Sequence, residues 1–222
     1  MIFAAQTRQL RYALEPHGVQ LVYATGPFEC EPGYGVSPFF DDCGPFYCWS
    51  PNDPLDFDIQ DDADNVNDSA AMAAGVAEML DDLRYEYGDD TNDSFVGILG
   101  FSSAASVAAG ILAAQQNNTE DPFPTWCRFR FGVLINGTGP PARFSTIQGD
   151  CGKEFIKFPT VSVVGKQDQW LSQSRLLNTY IDNELMICLE FDNGHKIPSK
   201  EDQVQEIVSA ILAAMHKTEG SM

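Results

Sequence analysis

The sequence predicts an α/β fold, a mostly parallel sheet with helices on both faces, on three observations. Short apolar runs alternate along the chain with longer segments whose apolar residues recur at helical spacing. Gly, Pro and Asn punctuate the joins between them. The stretch "SFVGILGFSSAASVAAGILAAQ", residues 94–115, reads as strand, sharp corner and helix, the unit from which parallel sheets are assembled. With 222 residues and 44% hydrophobic content the chain suits one domain over 1–222 with a sizeable core. No internal linker, repeat or low-complexity segment interrupts it.

Taken in order, "MIFAAQTRQLRYAL" is amphipathic and predicts a helix at about 4–14. "VQLVYA" is a short, mostly apolar run and predicts a strand at 19–24. A long acidic and aromatic loop follows to about residue 68, then a helix over "AAMAAGVAEMLDDLRYEY". Strand 94–99 and helix 103–116 come next, then strand "FRFGVLIN" at 129–136 and a Gly/Pro-rich loop. Strand "PTVSVVG" at 159–165, a helix at about 170–182, strand "LMICLEF" at 185–191 and a helix at about 200–216 complete the chain.

Residues Ser94 to Thr119 are 26 in a row without a charge, long enough in principle to cross a bilayer as a helix. Their texture argues otherwise, because an apolar run ends at Gly100 and an Ala-rich helical pattern starts at Ser103. No membrane span is expected. Between the two stands Gly100-Phe101-Ser102-Ser103-Ala104, a G-x-S-x-A form of the nucleophile elbow, in which a serine is held on a strand-to-helix corner. Gly100 and Ala104 are small because the helix must leave close to the strand it came from. A serine in an ordinary buried turn between strand and helix is the competing reading of the pentapeptide.

The formal charge of −19, from 13 basic and 32 acidic residues, argues against a nucleic-acid partner, since a phosphate backbone needs a basic face. From Glu29 to Asp93 there are 18 acids and one base, Arg84, which reads as a solvated surface. From Trp126 to Lys166 six bases face only Asp150 and Glu154. Six cysteines are scattered without C-x-x-C pairs, so no zinc site or other metal is expected, and reduced thiols in a cytoplasmic protein without a secretory leader are. Neither phosphate-cradling glycine motif is met, and no cofactor is expected.

In a parallel sheet chemistry collects beyond the carboxyl ends of the strands. After strand 159–165 comes "GKQDQW" with Asp168, and after strand 185–191 comes "DNGHKIP" with His195. The order Ser102, Asp168, His195 is that of an α/β-hydrolase triad. A serine is a weak nucleophile until a base takes its proton; neutral His195 can be that base, and Asp168 can hold its tautomer and stabilise the imidazolium. His17 precedes a strand and His216 falls in the last helix, so His195 is the preferred base. Asp168 is preferred over Asp192, which reads as a turn former.

The blocks "IFAAQTRQLRYAL", "GPFECEPGYGVSPFF", "GPFYCW", "GILGFSSAA", "VVGKQDQW" and "GHKIP" resemble, in collinear order, the fungal family-of-serine-hydrolases group, similar to ovarian-cancer-gene-2-type hydrolases and to the thioesterases that release polyketides such as the lovastatin chain. The resemblance covers nearly the whole chain and implies Ser102 as nucleophile, Asp168 as acid and His195 as base. The family usually reads G-F-S-Q-G where this chain has Ser103-Ala104 after Ser102. Its members begin with an apolar strand and an H-G-x-G-type loop, and this chain starts at Met1 just beyond them. The resemblance implies that this loop supplies one oxyanion donor and the N–H of Ser103 the other, with that strand lying between 19–24 and the strand carrying Ser102.

The expected activity is cleavage of an acyl thioester or ester through an acyl-enzyme, as in a thioesterase that releases a polyketide or fatty acyl chain in secondary metabolism. A small-molecule carboxylesterase is the alternative within the class, and a non-catalytic hydrolase-like binding protein the alternative outside it. Phe39, Phe40, Phe46, Tyr47 and Trp49, together with Phe28, Tyr34 and Phe57, either line an acyl pocket or pin down their long loop. If the substrate is a small acyl molecule carried on an acidic protein, Arg143, Lys153 and Lys157 are the expected docking charges, scattered solvated charge being the alternative.

Overall fold

The computed structural model describes residues 2–51, 65–87, 95–117, 128–144 and 155–219. Two short helices open the chain, α1 (Ile2–Gln6) and α2 (Arg8–Leu14), followed by a hairpin of β1 (Phe28–Cys30) and β2 (Phe46–Cys48). Then come α3 (Asn65–Tyr87), β3 (Gly97–Phe101), α4 (Ser103–Asn117), β4 (Phe131–Ile135), β5 (Thr160–Gly165), α5 (Leu171–Asn178), β6 (Met186–Phe191) and α6 (Glu201–Glu219). Strands β3, β4, β5 and β6 form one sheet in that order, and every neighbouring pair is parallel.

Side-chain alternation along the strands explains why both faces are covered. Phe131, Val133 and Ile135 of β4, with Val161 and Val163 of β5, point into a core closed by Leu10 and Leu14 of α2 and by Val204, Ile207, Val208 and Ile211 of α6. Leu134 points the other way, into a core with Val76 and Leu80 of α3, Ala105, Ala108 and Leu112 of α4, and Leu177 of α5. Both sets are all but excluded from water. At about 25 cal/mol per Å² of apolar surface, burying such side chains is the main force holding helices to sheet.

Four elements differ from the sequence expectation. The helix expected at 4–14 begins at Ile2 and divides at Thr7, whose buried hydroxyl donates to the Phe3 carbonyl at 2.8 Å and meets the Tyr23 hydroxyl at 2.8 Å. Residues 19–24 are not a strand. Some of their apolar side chains do pack inward, with Val19 and Leu21 against the α2–α6 core and Tyr23 edge-on to Phe3, but a strand also needs a ladder partner, and this segment has none among the described residues. The helix expected at 170–182 stops at Asn178 because the chain beyond it pairs with Ile156: the Ile156 N–H donates to the Tyr180 carbonyl, and the Asp182 N–H to the Ile156 carbonyl. The β1–β2 hairpin lies inside what reads in the sequence as loop.

Residues 94–115 are β3 and α4 in their described part, and among the described residues no helix is long and apolar enough to cross a membrane.

Candidate active site

Ser102 is the residue between β3 and α4, and its backbone is left-handed, with φ 57°. The corner is held from both sides: the Ser102 N–H donates to the Ile135 carbonyl of β4 at 3.0 Å, and the Ser102 carbonyl accepts from the Ala105 N–H at 3.0 Å. Gly100 makes the corner possible, because a Cβ there would overlap the backbone of Ala104 and Ala105. As the first residue of α4, Ser103 offers its N–H at a helix N-terminus, where the first turn leaves donors without intrahelical partners.

Asp168 follows β5 in a tight turn in which its N–H donates to the Gly165 carbonyl at 3.1 Å. Its side chain is fully buried and both carboxylate oxygens are engaged: Oδ1 accepts the Trp170 N–H at 2.9 Å, and Oδ2 lies 2.7 Å from His195 Nδ1. On the other side of the ring, His195 Nε2 is 2.9 Å from Ser102 Oγ. A carboxylate only accepts, so Nδ1 carries the proton it donates to Asp168, and Nε2 is left to accept from the Ser102 hydroxyl. Three residues that are distant in the sequence thus form one hydrogen-bonded chain across three strand ends. Asp192 has a different partner, the Gln167 side-chain amide at 2.9 Å, at the surface.

Aromatic rings enclose the imidazole. Phe101 is tilted over it at 4.9 Å between centroids, Trp170 meets it edge-on at 4.5 Å, and Tyr34 reaches from the β1–β2 connection to pack edge-on against Trp170 at 4.9 Å. Ser102, Ser103 and His195 open into a cavity of about 1120 Å³ that runs between the 18–26 segment and the edge of β3, lined largely by apolar side chains such as Leu21, Ile98 and Leu99. Phe46, Tyr47 and Trp49 line it together with Tyr34; Phe40 and the 84% exposed Phe39 are not among its lining residues, and Phe57 lies outside the described residues.

Residues 1–207 match the family model described as Serine hydrolase (FSH1). The chain belongs to this family. Among curated relatives of this FSH1-family hydrolase, "Probable esterase tazC" of Aspergillus terreus is 31% identical over 247 aligned positions, covering 98% of this chain and 88% of the relative. "Esterase FUS5" of Gibberella moniliformis is 34% identical over 195 positions, covering 86% of this chain and 72% of the relative. Among solved structures, Arabidopsis thaliana SOBER1 superposes with a TM-score of 0.53 at 16% identity, covering 96% of this chain and 92% of that one, a likeness of fold. The fold is that of the α/β-hydrolases.

For this FSH1-family member, sequence reasoning did not single out Trp170 or Asn136, while Tyr34, one of the loop aromatics it named, lines the cavity and packs on Trp170. Trp170 stands two residues past Asp168, in the turn where a backbone N–H is needed to satisfy the second carboxylate oxygen, and that spacing was the available signal. The basic residues expected to act together are split by strand polarity. Lys157 precedes β5 and so lies at the amino end of the sheet, away from the Ser102 rim; Arg143 follows β4 and is exposed on the loop beyond its carboxyl end; Lys153 falls outside the described residues. Among the described residues no group of three or more His, Cys, Asp or Glu side chains is close enough to hold a metal ion.

Proposed function

We propose that this FSH1-family hydrolase cleaves an acyl thioester or ester through an acyl-enzyme on Ser102, with His195 as base and acid and Asp168 as the residue that holds His195. The observation that carries this reading is the unbroken chain Ser102 Oγ–His195–Asp168, at 2.9 and 2.7 Å. As Ser102 Oγ bonds to the acyl carbon, His195 Nε2 takes the hydroxyl proton, and Asp168 stabilises the imidazolium that forms. The carbonyl oxygen becomes an oxyanion, for which the Ser103 N–H is the assigned donor; one such donor is worth about 3 kcal/mol of transition-state stabilisation. Collapse breaks the bond to the leaving thiolate or alkoxide, which receives the proton from Nε2. Water then attacks the acyl-enzyme by the same steps in mirror order, releasing the acid and restoring Ser102.

The apolar lining of the cavity next to Ser102 supports an apolar acyl group of polyketide or fatty type, as in secondary metabolism. A second reading, a carboxylesterase for small oxygen esters, is favoured by the relatives, which are called esterases. A fluorophosphonate probe tests the common part: covalent labelling that disappears in Ser102→Ala is expected, and a well-folded protein that stays unlabelled would leave a binding protein of hydrolase fold. Turnover of a long-chain acyl thioester against a p-nitrophenyl ester of a short acid separates the two substrate readings.

A further inference from the structure

We propose that Asn136 is a positioning residue, one that fixes the loop carrying His195 against the turn carrying Asp168. Asn136 is the first residue beyond β4, 1% exposed, and takes part in neither the Ser102–His195 nor the His195–Asp168 hydrogen bond. Its backbone N–H donates to the Val163 carbonyl of β5 at 2.8 Å. Its side chain then spans both loops: Oδ1 accepts the Gly165 N–H at 2.8 Å, while Nδ2 donates to the Lys196 carbonyl at 3.0 Å and, at 3.5 Å, approaches the Gly194 carbonyl. Those two carbonyls flank His195. Because the Gly165 carbonyl in turn accepts the Asp168 N–H, and Asp168 holds His195, the hydrogen bonds close into a ring that passes through Asn136, Gly165, Asp168 and His195.

A carboxamide offers acceptor and donor at once, which neither a carboxylate nor an alanine does. The residue must also accept φ 44°, a left-handed backbone that asparagine tolerates better than most. The ring has little slack, since a Cβ on Gly165 would come within 2.6 Å of the Asn193 carbonyl oxygen and 2.7 Å of that of Gly194. Without the Asn136 amide the His195 loop keeps its tie through Gln167 N–H to the Asn193 carbonyl but loses the one beyond His195. The imidazole is then free to tilt between Ser102 and Asp168.

The test uses the full chain with Asn136→Gly, which relieves the backbone while deleting both side-chain bonds, and with Asn136→Asp, which keeps the acceptor for Gly165 and loses the donor. Fluorophosphonate labelling of Ser102 per folded molecule, and kcat on a p-nitrophenyl ester, are expected to fall on the order of ten- to a hundredfold with little change in KM, the scale of a small misplacement of a reacting group. The far-downfield proton resonance of His195 Nδ1–H is expected to shift or broaden. Lower stability with a wild-type labelling rate would make Asn136 a structural residue only and overturn the proposal, as would an unchanged resonance in either folded variant. The kinetic arms rest on the triad reading; the resonance reports the Asp168–His195 bond in a protein of any activity, so failure of the one reading is told apart from failure of the other.

Discussion

Between residues 18 and 50 only Cys48 is buried, whereas β5 is buried along its whole length. The two regions meet at His195 and are built in opposite ways. On the β4–β6 side each loop at the rim is tied to its neighbour by backbone bonds, Lys166 to Phe191, Gln167 to Asn193 and Asn136 to Val163, over two packed cores. On the other side a hairpin of two three-residue strands and short turns presents Tyr34, Phe39 and Tyr47 largely to solvent, and reaches the site through the ring contact of Tyr34 with Trp170. In the proposed reading the reacting groups lie on the packed, cross-tied part of the molecule, and the aromatic groups that would meet the acyl chain lie on the exposed part.

If that division is right, substitutions should sort by side. The largest effects belong to the packed side. Ser102→Ala and His195→Ala are each expected to lower kcat on the order of a million-fold, with the double variant little worse, because the members act as a unit. Asp168→Asn should cost about ten-thousandfold while the fold is kept. Stopped-assay turnover checks all three, and near-normal activity in His195→Ala would undo the assignment. Next in size is Gly100→Ala, whose added methyl has nowhere to go but the backbone of α4; a loss of at least about 1–3 kcal/mol is expected in urea unfolding.

On the exposed side Tyr34→Ala should leave stability within about 0.5 kcal/mol, as for an exposed residue with few ties, yet raise KM for a bulky acyl substrate several-fold while a short acyl ester is hardly affected. Equal changes for both substrates would place Tyr34 with the packed group. The smallest effect concerns charge. With a carrier-bound substrate, Arg143→Glu is expected to raise KM about two- to threefold at low salt and less at physiological salt, whereas Lys157→Glu, at the opposite end of the sheet, should do nothing. The reverse ranking would move the docking surface to the other end of the molecule.

The sequence made the packed side legible and left much of the exposed side dark. Ser102, Asp168 and His195 each follow a strand, and a parallel sheet brings strand ends together whatever the loops between them do, so their order sufficed to anticipate the hydrogen-bonded chain. Asn136 also ends a strand, but its partners are backbone groups 29 and 60 residues away that carry no identity in the sequence. "VQLVYA" was legible as a pattern of side chains and not as a strand, since pairing depends on what lies alongside. For Tyr34 the loop was read as aromatic, with lining and anchoring left open. Its ring does some of each, packing on Trp170 while lining the cavity.

Two hydroxyls stand side by side at the corner, Ser102 and Ser103, and nothing in their own chemistry distinguishes them. The pairing of β3 with β4 does. Phe101 is level with Ile135, so Ser102 is the residue whose N–H reaches the Ile135 carbonyl and whose backbone turns left-handed, and Ser103 becomes the first residue of the helix. Slide β3 by one position and every side chain along it changes face, with the other hydroxyl delivered to the imidazole and Phe101 or Ala104 moved with it. In the proposed triad the choice of reacting oxygen is therefore made by strand alignment, which the pairing of Leu99 with Val133 and of Phe101 with Ile135 sets.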